Sequence, residues 1–207
     1  MAKLEYFYTA LSLYAYLGSA RIQEIAKAAD TPLIHKPVHL RKVLPATGRT
    51  PIADRGEANY NYYFRRESAR WAEYRGVELM EGFPTHHKND ETLCNTMIIA
   101  AIQQGVDAGA LSHAILRAHR VDDMDHADAD QLAAAARAVG IDPKPLLAAA
   151  GSDEVAAIYQ ANTDEAIERS MFGAPTYFVD GDMFYGQDRL EMVERALTKP
   201  FAGKWPL

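Results

Sequence analysis

Cysteine is almost absent from this chain: Cys94 is the only one in 207 residues. That excludes an internal disulfide and any Cys-x-x-Cys redox chemistry. Basic charge is also in short supply, with 22 Lys and Arg against 28 Asp and Glu, a net charge of -6 and a pI near 5.6. With no cationic excess to neutralise phosphates, no nucleic-acid partner and no acidic membrane surface is expected. The basic pair Arg65–Arg66 sits among Glu57, Glu67 and Glu73 and reads as a solvated helix face. No apolar run approaches the ~18 residues of a membrane span. Met1 to Phe7 lacks a basic region ahead of a long apolar stretch and reads at once as a strand. Together these lead us to expect a cytoplasmic or otherwise reducing location.

What is present suffices for a core: 48% of residues are hydrophobic and 24% charged, which suits one domain or a domain with a large insertion. Leu4 to Thr9 is rich in aromatics and reads as a strand. Ser12 then precedes Tyr14, Leu17, Ile22, Ile25 and Ala26 at helical spacing, and Leu33 to Leu40 reads as a second strand with Pro37 at an edge or strand end. This is a βαβ outline.

From about Asn59 to Arg169 the strand signal fades and a 3.6-residue period takes over. Helices are predicted over Tyr60–Gly76, Asp90–Gly105, Ala110–Val121, Asp128–Gly140, Pro143–Gly151 and Asp153–Ser170, with Gly140, Gly151 and Gly173 following periodic stretches as helix-terminal glycines do. Strand character returns at Thr176–Val179, Asp180-Gly181-Asp182 is a turn, and Met183–Tyr185 is its partner strand. A last helix follows from Arg189 to about Lys199. The order βαβ, helices, ββα is that of an α/β domain split by a helical insertion.

Three segments carry chemistry. Ser12 follows the first strand and opens a helix, so at minimum it is an N-cap. Pro175, in Phe172-Gly-Ala-Pro-Thr176, at minimum opens an edge strand. Asp188, in Phe184-Tyr-Gly-Gln-Asp-Arg-Leu190, would cap the last helix. Taken together with Phe7 to Leu17 and with Arg70-Trp71-Ala72, these segments resemble the 2-hydroxychromene-2-carboxylate isomerases and the kappa-class glutathione transferases. The resemblance implies a thioredoxin-like fold of the DsbA type. Residues 1–50 and 171–207 would form the thioredoxin-like domain and 51–170 the helical insertion.

The resemblance also implies glutathione as cofactor. In such a fold the loop after the first strand delivers a side chain to a helix N-terminus, where unpaired N–H groups and the dipole favour an anion. A cysteine there would be a thiolate. Ser12 instead becomes a hydrogen-bond donor to a thiolate that glutathione brings in. A cis peptide between Ala174 and Pro175 is implied, aligning an extended peptide ligand along an exposed edge. Gln187 and Asp188 would hold the γ-glutamyl end. The family asparagine of a Thr-Gly-Asn segment is replaced by Arg49, in Thr47-Gly-Arg-Thr-Pro51, which suits a thiolate or a substrate carboxylate. Leu13 stands where the family has proline, and Asp54 to Tyr63 holds Arg55 but no lysine.

The implied reaction is a glutathione-dependent isomerisation in aromatic catabolism: reversible thiol addition, bond rotation with ring opening or closure, then elimination. Tyr8, Phe83, Trp71 and Arg49 are the candidates to line an aromatic substrate, and the resemblance implies a homodimer. A kappa-like transferase or peroxidase is the second enzymatic reading, and a non-catalytic thioredoxin-fold binder the third. No metal site is expected. Asp122–Asp130 lacks the glycine and glutamate of a calcium loop and reads as a polar loop and helix start. His86–His87 has no partners at ligand spacing and reads as a surface or cleft-lining pair. His35 and His39 read as packing residues, and Cys94 as a small buried one.

Overall fold

The computed structural model describes residues 2–49, 56–203 and 205. Thr50, Pro51, Arg55 and the expected boundary at 50/51 lie outside the described residues. Four strands form one mixed sheet in the order β2-β1-β3-β4, with β1 Leu4–Tyr8, β2 Leu33–Pro37, β3 Thr176–Val179 and β4 Asp182–Tyr185. β1 runs parallel to β2 and antiparallel to β3, which pairs antiparallel with β4. This is the α/β thioredoxin-like arrangement, with a helical insertion between β2 and β3. All five residues of β1 are buried, as a central strand covered on both faces requires.

The β3–β4 hairpin pairs Val179 with Asp182 and leaves Asp180-Gly181 as its loop, at φ 49° and 92°. Positive φ at both loop positions matches the strand twist, and Asp-Gly tolerates it. The Ala174–Pro175 peptide is cis.

Helix α1 (Leu13–Ala28) crosses the sheet, burying Ile22 and Ile25, and lays Leu13, Tyr14 and Leu17 against Ala72 of the insertion. The inserted helices fall close to their predicted spans: α5 Thr92–Gln103, α6 Ala108–Val121, α7 Ala129–Ala138, α8 Pro143–Ala150 and α9 Asp153–Glu168. One apolar cluster runs from Leu4, Tyr6 and Tyr8 of the sheet through Ile22 of α1 to Ile98, Leu116 and Leu146 of the insertion. Helix α10 (Leu190–Thr198) follows a 3₁₀ turn at Gln187–Arg189.

The structure corrects three expectations. The second strand stops at Pro37, and the chain winds instead into a short helix α2 (Leu40–Ala46) containing Pro45. Seven residues are too few for a helical period to declare itself in the sequence. The long helix predicted from Tyr60 is interrupted: α3 (Glu57–Asn61) and α4 (Ser68–Arg75) are joined by a π-helical segment, Tyr62–Glu67. Gly173 terminates no helix, since α9 ends at Glu168. A Cβ on it would lie 2.3 Å from the Tyr185 ring, so glycine is there for close approach.

Candidate active-site cleft

A cleft of about 900 Å³ opens where the loop after β1, helix α2, the π-helical segment and the loop before β3 converge. Its walls are aromatic: Tyr14, Tyr60, Tyr63, Phe64, Phe83, Phe172 and Tyr185 all border it. The π segment contributes to this. It places the consecutive residues Tyr63 and Phe64 on the cleft side, and the Tyr14 hydroxyl donates to the Tyr63 carbonyl. Extra residues in a helical turn of this kind often mark functional sites.

Ser12 lies at the floor, 8% exposed. It is the N-cap of α1: its Oγ accepts from the Ala15 N–H at 3.2 Å and donates to the Ala174 carbonyl at 3.2 Å. The hydroxyl thus joins the helix N-terminus to the cis-proline loop across 162 residues of sequence. Ala174 borders the cleft and its N–H has no partner among the described residues. The Pro175 carbonyl is taken by the Gly186 N–H at 2.9 Å. Arg49 also borders the cleft, its guanidinium 5.9 Å from the Phe172 ring centre and 5.8 Å from that of Tyr185. No carboxylate pairs with it among the described residues.

Gln187 and Asp188 sit beside the cleft and do not line it. Gln187 is 1% exposed and packs on Gly18 of α1, where a Cβ would lie 2.7 Å from its own. Arg75 holds its Oε1 at 3.3 Å and its carbonyl oxygen at 3.2 Å, while its Nε2 is buried with no partner. Asp188 is exposed and pairs with Arg189 at 2.6 Å. It stands near enough to Tyr14 and Tyr63 to reinforce what burial does to those phenols, raising their pKa.

Two expected lining residues are elsewhere. Tyr8 is fully buried in the sheet, stacked on Tyr6 at 4.1 Å with its hydroxyl on His35 Nδ1 at 3.0 Å. Strand alternation points it into the core. Trp71 does not border the cleft; half-buried, it packs against the cluster of Leu13, Tyr14, Leu17 and Ala72, edge-on to Tyr74 and under the Arg75 guanidinium at 5.3 Å. Phe83 does border the cleft, 4.6 Å from the His87 ring.

Sequence reasoning overlooked Arg120. It is 5% exposed, borders the cleft, and directs Nε and Nη2 at the Leu11 carbonyl, with Nε at 3.1 Å. No carboxylate neutralises it among the described residues, and burial pushes it down to about 9. The signal was available. Along α6, Leu111, Ile115 and His119, and likewise Ser112, Leu116 and Arg120, recur every four residues and are buried, which puts a charged residue on an apolar stripe. His87 borders the cleft as well, with Nδ1 3.0 Å from His119 Nε2. Burial first, then the Arg120 charge, pushes it down to about 2. His86 lies outside, 3.5 Å from Asp125. Cys94 is fully buried on α5, away from the cleft, and burial raises its thiol pKa. Among the described residues no group of His, Cys, Asp and Glu is arranged to hold a metal ion, and no helix is long and apolar enough to cross a membrane.

These observations bear on glutathione. The Ser12 hydroxyl at a helix N-terminus, the open Ala174 N–H and the unpaired Arg49 fit a sulfur anion, an extended peptide and a carboxylate respectively. Asp188, exposed beside the cleft, would have to share its carboxylate between Arg189 and an ammonium, and the Gln187 Nε2, without a partner among the described residues, is sealed from the cleft. A family model described as a DSBA-like thioredoxin domain matches residues 3–198. The 2-hydroxychromene-2-carboxylate isomerase of Pseudomonas putida is 26% identical over 198 residues, covering 95% of this chain and 94% of that one. The enzyme of the same name from Pseudomonas sp. strain C18 is 26% identical over 195 residues, covering 94% and 89%. A solved structure of a 2-hydroxychromene-2-carboxylate isomerase superposes with a TM-score of 0.80 at 23% identity, covering 94% of this chain and 93% of that one.

Proposed function

The chain belongs to the DsbA-like thioredoxin family, and from that premise we propose that it is a glutathione-dependent isomerase acting on 2-hydroxychromene-2-carboxylate or a close aromatic relative. The observation that carries this is the Ser12 hydroxyl: where a redox relative presents a thiol, this chain presents a neutral donor, tied to the cis-proline loop and facing an aromatic cleft. A protein without a reactive cysteine does no thiol chemistry of its own. Bound glutathione would supply the nucleophilic thiol that adds reversibly to a conjugated carbon.

The chain's residues then have distinct tasks. Ser12, its hydroxyl hydrogen turning from the Ala174 carbonyl to the sulfur, would with the first amides of α1 hold that sulfur ionised by hydrogen bonding and the helix dipole. Ala174 would pair with the peptide backbone of the cofactor, and Asp188 with its γ-glutamyl ammonium. The aromatic walls would bind a planar substrate by burial and edge or face contact. A homodimer in the cytoplasm belongs to the same reading, and sedimentation of the purified chain checks the dimer.

Titration with glutathione, followed by a spectrophotometric assay of 2-hydroxychromene-2-carboxylate conversion with and without it, tests the proposal. Saturable binding and glutathione-dependent conversion are expected. No binding at millimolar glutathione would overturn it, and irreversible conjugation of the substrate would turn the assignment to a transferase.

A further inference from the structure

Arg120 and His87 face the cleft next to one another, 3.4 Å from Nη2 to Nδ1. What each offers a ligand follows from what each has already spent. Arg120 uses Nε and Nη2 on the Leu11 carbonyl. Its Nη1 has no hydrogen-bond partner among the described residues.

The state of His87 is set by a chain of three groups. His119 Nδ1 lies 2.9 Å from the Met124 carbonyl, an acceptor only, so His119 Nδ1 carries a hydrogen. Burial, then the Arg120 charge, pushes His119 down to about 3, so it is neutral and its Nε2 is bare. That nitrogen lies 3.0 Å from His87 Nδ1, which therefore donates to it. His87 is neutral by the same logic, so its remaining nitrogen, Nε2, presents a lone pair. It too has no hydrogen-bond partner among the described residues, and His87 borders the cleft. The 3.4 Å approach of Arg120 Nη2 to His87 Nδ1 is then a contact between two donors, which the orientation toward Leu11 and His119 relieves.

A fixed cationic donor thus stands beside a fixed neutral acceptor in one wall of the cleft. We infer that Arg120 and His87 recognise a 2-hydroxy acid, Arg120 Nη1 binding the carboxylate and His87 Nε2 accepting from the hydroxyl on the adjacent carbon. A simple carboxylate would satisfy only Arg120 and leave the His87 acceptor unpaired beneath the bound ligand, which is how a site of this kind discriminates. The inference deepens the proposed function and rests on it for the substrate occupying this cleft; the relatives' substrate carries both groups in its name. Phe83 lies under the Arg120 guanidinium at 5.7 Å and against His87, so the aromatic part of the ligand meets the pair from its edge.

The test uses the full chain without glutathione and two simple aryl acids, mandelate and phenylacetate, which differ by the hydroxyl. Calorimetric titration of the wild type should show mandelate binding about tenfold tighter, the worth of one hydrogen bond to a buried acceptor. His87→Phe should abolish that preference and leave phenylacetate affinity as it was. Arg120→Gln should weaken both acids by roughly tenfold to a hundredfold, as loss of a charged hydrogen bond does. Nitrogen NMR of the unmodified protein supplies a measurement that needs no variant to fold: His87 should show its hydrogen on Nδ1. A bare Nδ1, a hydroxyl preference that survives His87→Phe, or no binding of either acid overturns the inference. Failure of glutathione-dependent turnover with the preference intact would sink the isomerase reading alone.

Discussion

Ser12→Ala separates structure from chemistry at one atom. The substitution deletes the hydrogen bond from the Ala15 N–H and the one to the Ala174 carbonyl, both 3.2 Å. Loss of a serine N-cap costs about 1 kcal/mol, and a half-exposed carbonyl left without its donor adds up to about 1 kcal/mol more. For a domain of this size each kcal/mol lowers Tm by about 2–4 °C, so the variant should remain folded at room temperature. The chemical effect is larger. A hydrogen bond to a charged group is worth about 1.5–3 kcal/mol, and each pKa unit is about 1.4 kcal/mol. The thiol of bound glutathione should therefore rise by up to roughly one to two units in Ser12→Ala, because the anion loses the donor that turns to it from the Ala174 carbonyl while the neutral thiol needs none. Ultraviolet thiolate absorbance against pH reads this directly. Ser12→Asp is the comparison: it keeps an acceptor for the Ala15 N–H but loses the donor to the Ala174 carbonyl, and its negative charge against the sulfur should raise the thiol further. An unshifted thiol in Ser12→Ala, with full turnover, would refute the role assigned to Ser12.

Gly173→Ala should destabilise by about 1–3 kcal/mol, since the new methyl would fall 2.3 Å from the Tyr185 ring and displace a wall of the cleft; thermal melting that matches the wild type contradicts this. Stability should fall as pH drops below about 6.5, the ordinary histidine value. Burial holds His35 at about 4, His119 at about 3 and His87 at about 2, so the unfolded chain takes up protons that the native chain refuses, at up to about 1.4 kcal/mol per group and pH unit. Equal urea midpoints at pH 7 and pH 5 would refute it. Glu5 gives a second, lower window. Burial raises its pKa, but Lys3, Lys36 and Arg169 outweigh that and hold it at about 2, so its contribution is complete above about 4.5 and lost as pH falls through 2. Glu5→Gln should flatten that limb of the acid-unfolding curve.

Local patterns were legible where the chain is long enough to show a period or short enough to have one solution. Five inserted helices stand within a few residues of their sequence expectation, and Asp180-Gly181 is the hairpin loop that its composition requires. The cis-proline, Ser12, Ala174 and Arg49 were read from motifs, Phe83 only as a candidate aromatic lining, and all lie at or beside one cleft. Helix α2 was missed because seven residues make fewer than two full turns. The π turn was missed because its hydrogen-bond shift leaves no compositional trace. Tyr8 and Trp71 were misplaced for a different reason: an aromatic residue near a motif is as readily turned into a core or against a neighbouring helix as to the site.

The sequence by itself determined the order of elements, the want of a reactive thiol and the identity of the cap at α1, because these depend on spacing, on composition and on residues adjacent in the chain. Only the tertiary structure decided which side chains meet across the cleft. Ser12 finds Ala174, His87 finds His119, and Arg120 finds the Leu11 carbonyl, each across tens of residues or more. Those meetings depend on how α6 and the cis-proline loop pack against α1, where a guanidinium is buried with no carboxylate partner among the described residues and hydrogen bonds settle which imidazole nitrogen is bare. Such effects arise from desolvation and geometry in three dimensions, and no local pattern of residues encodes them.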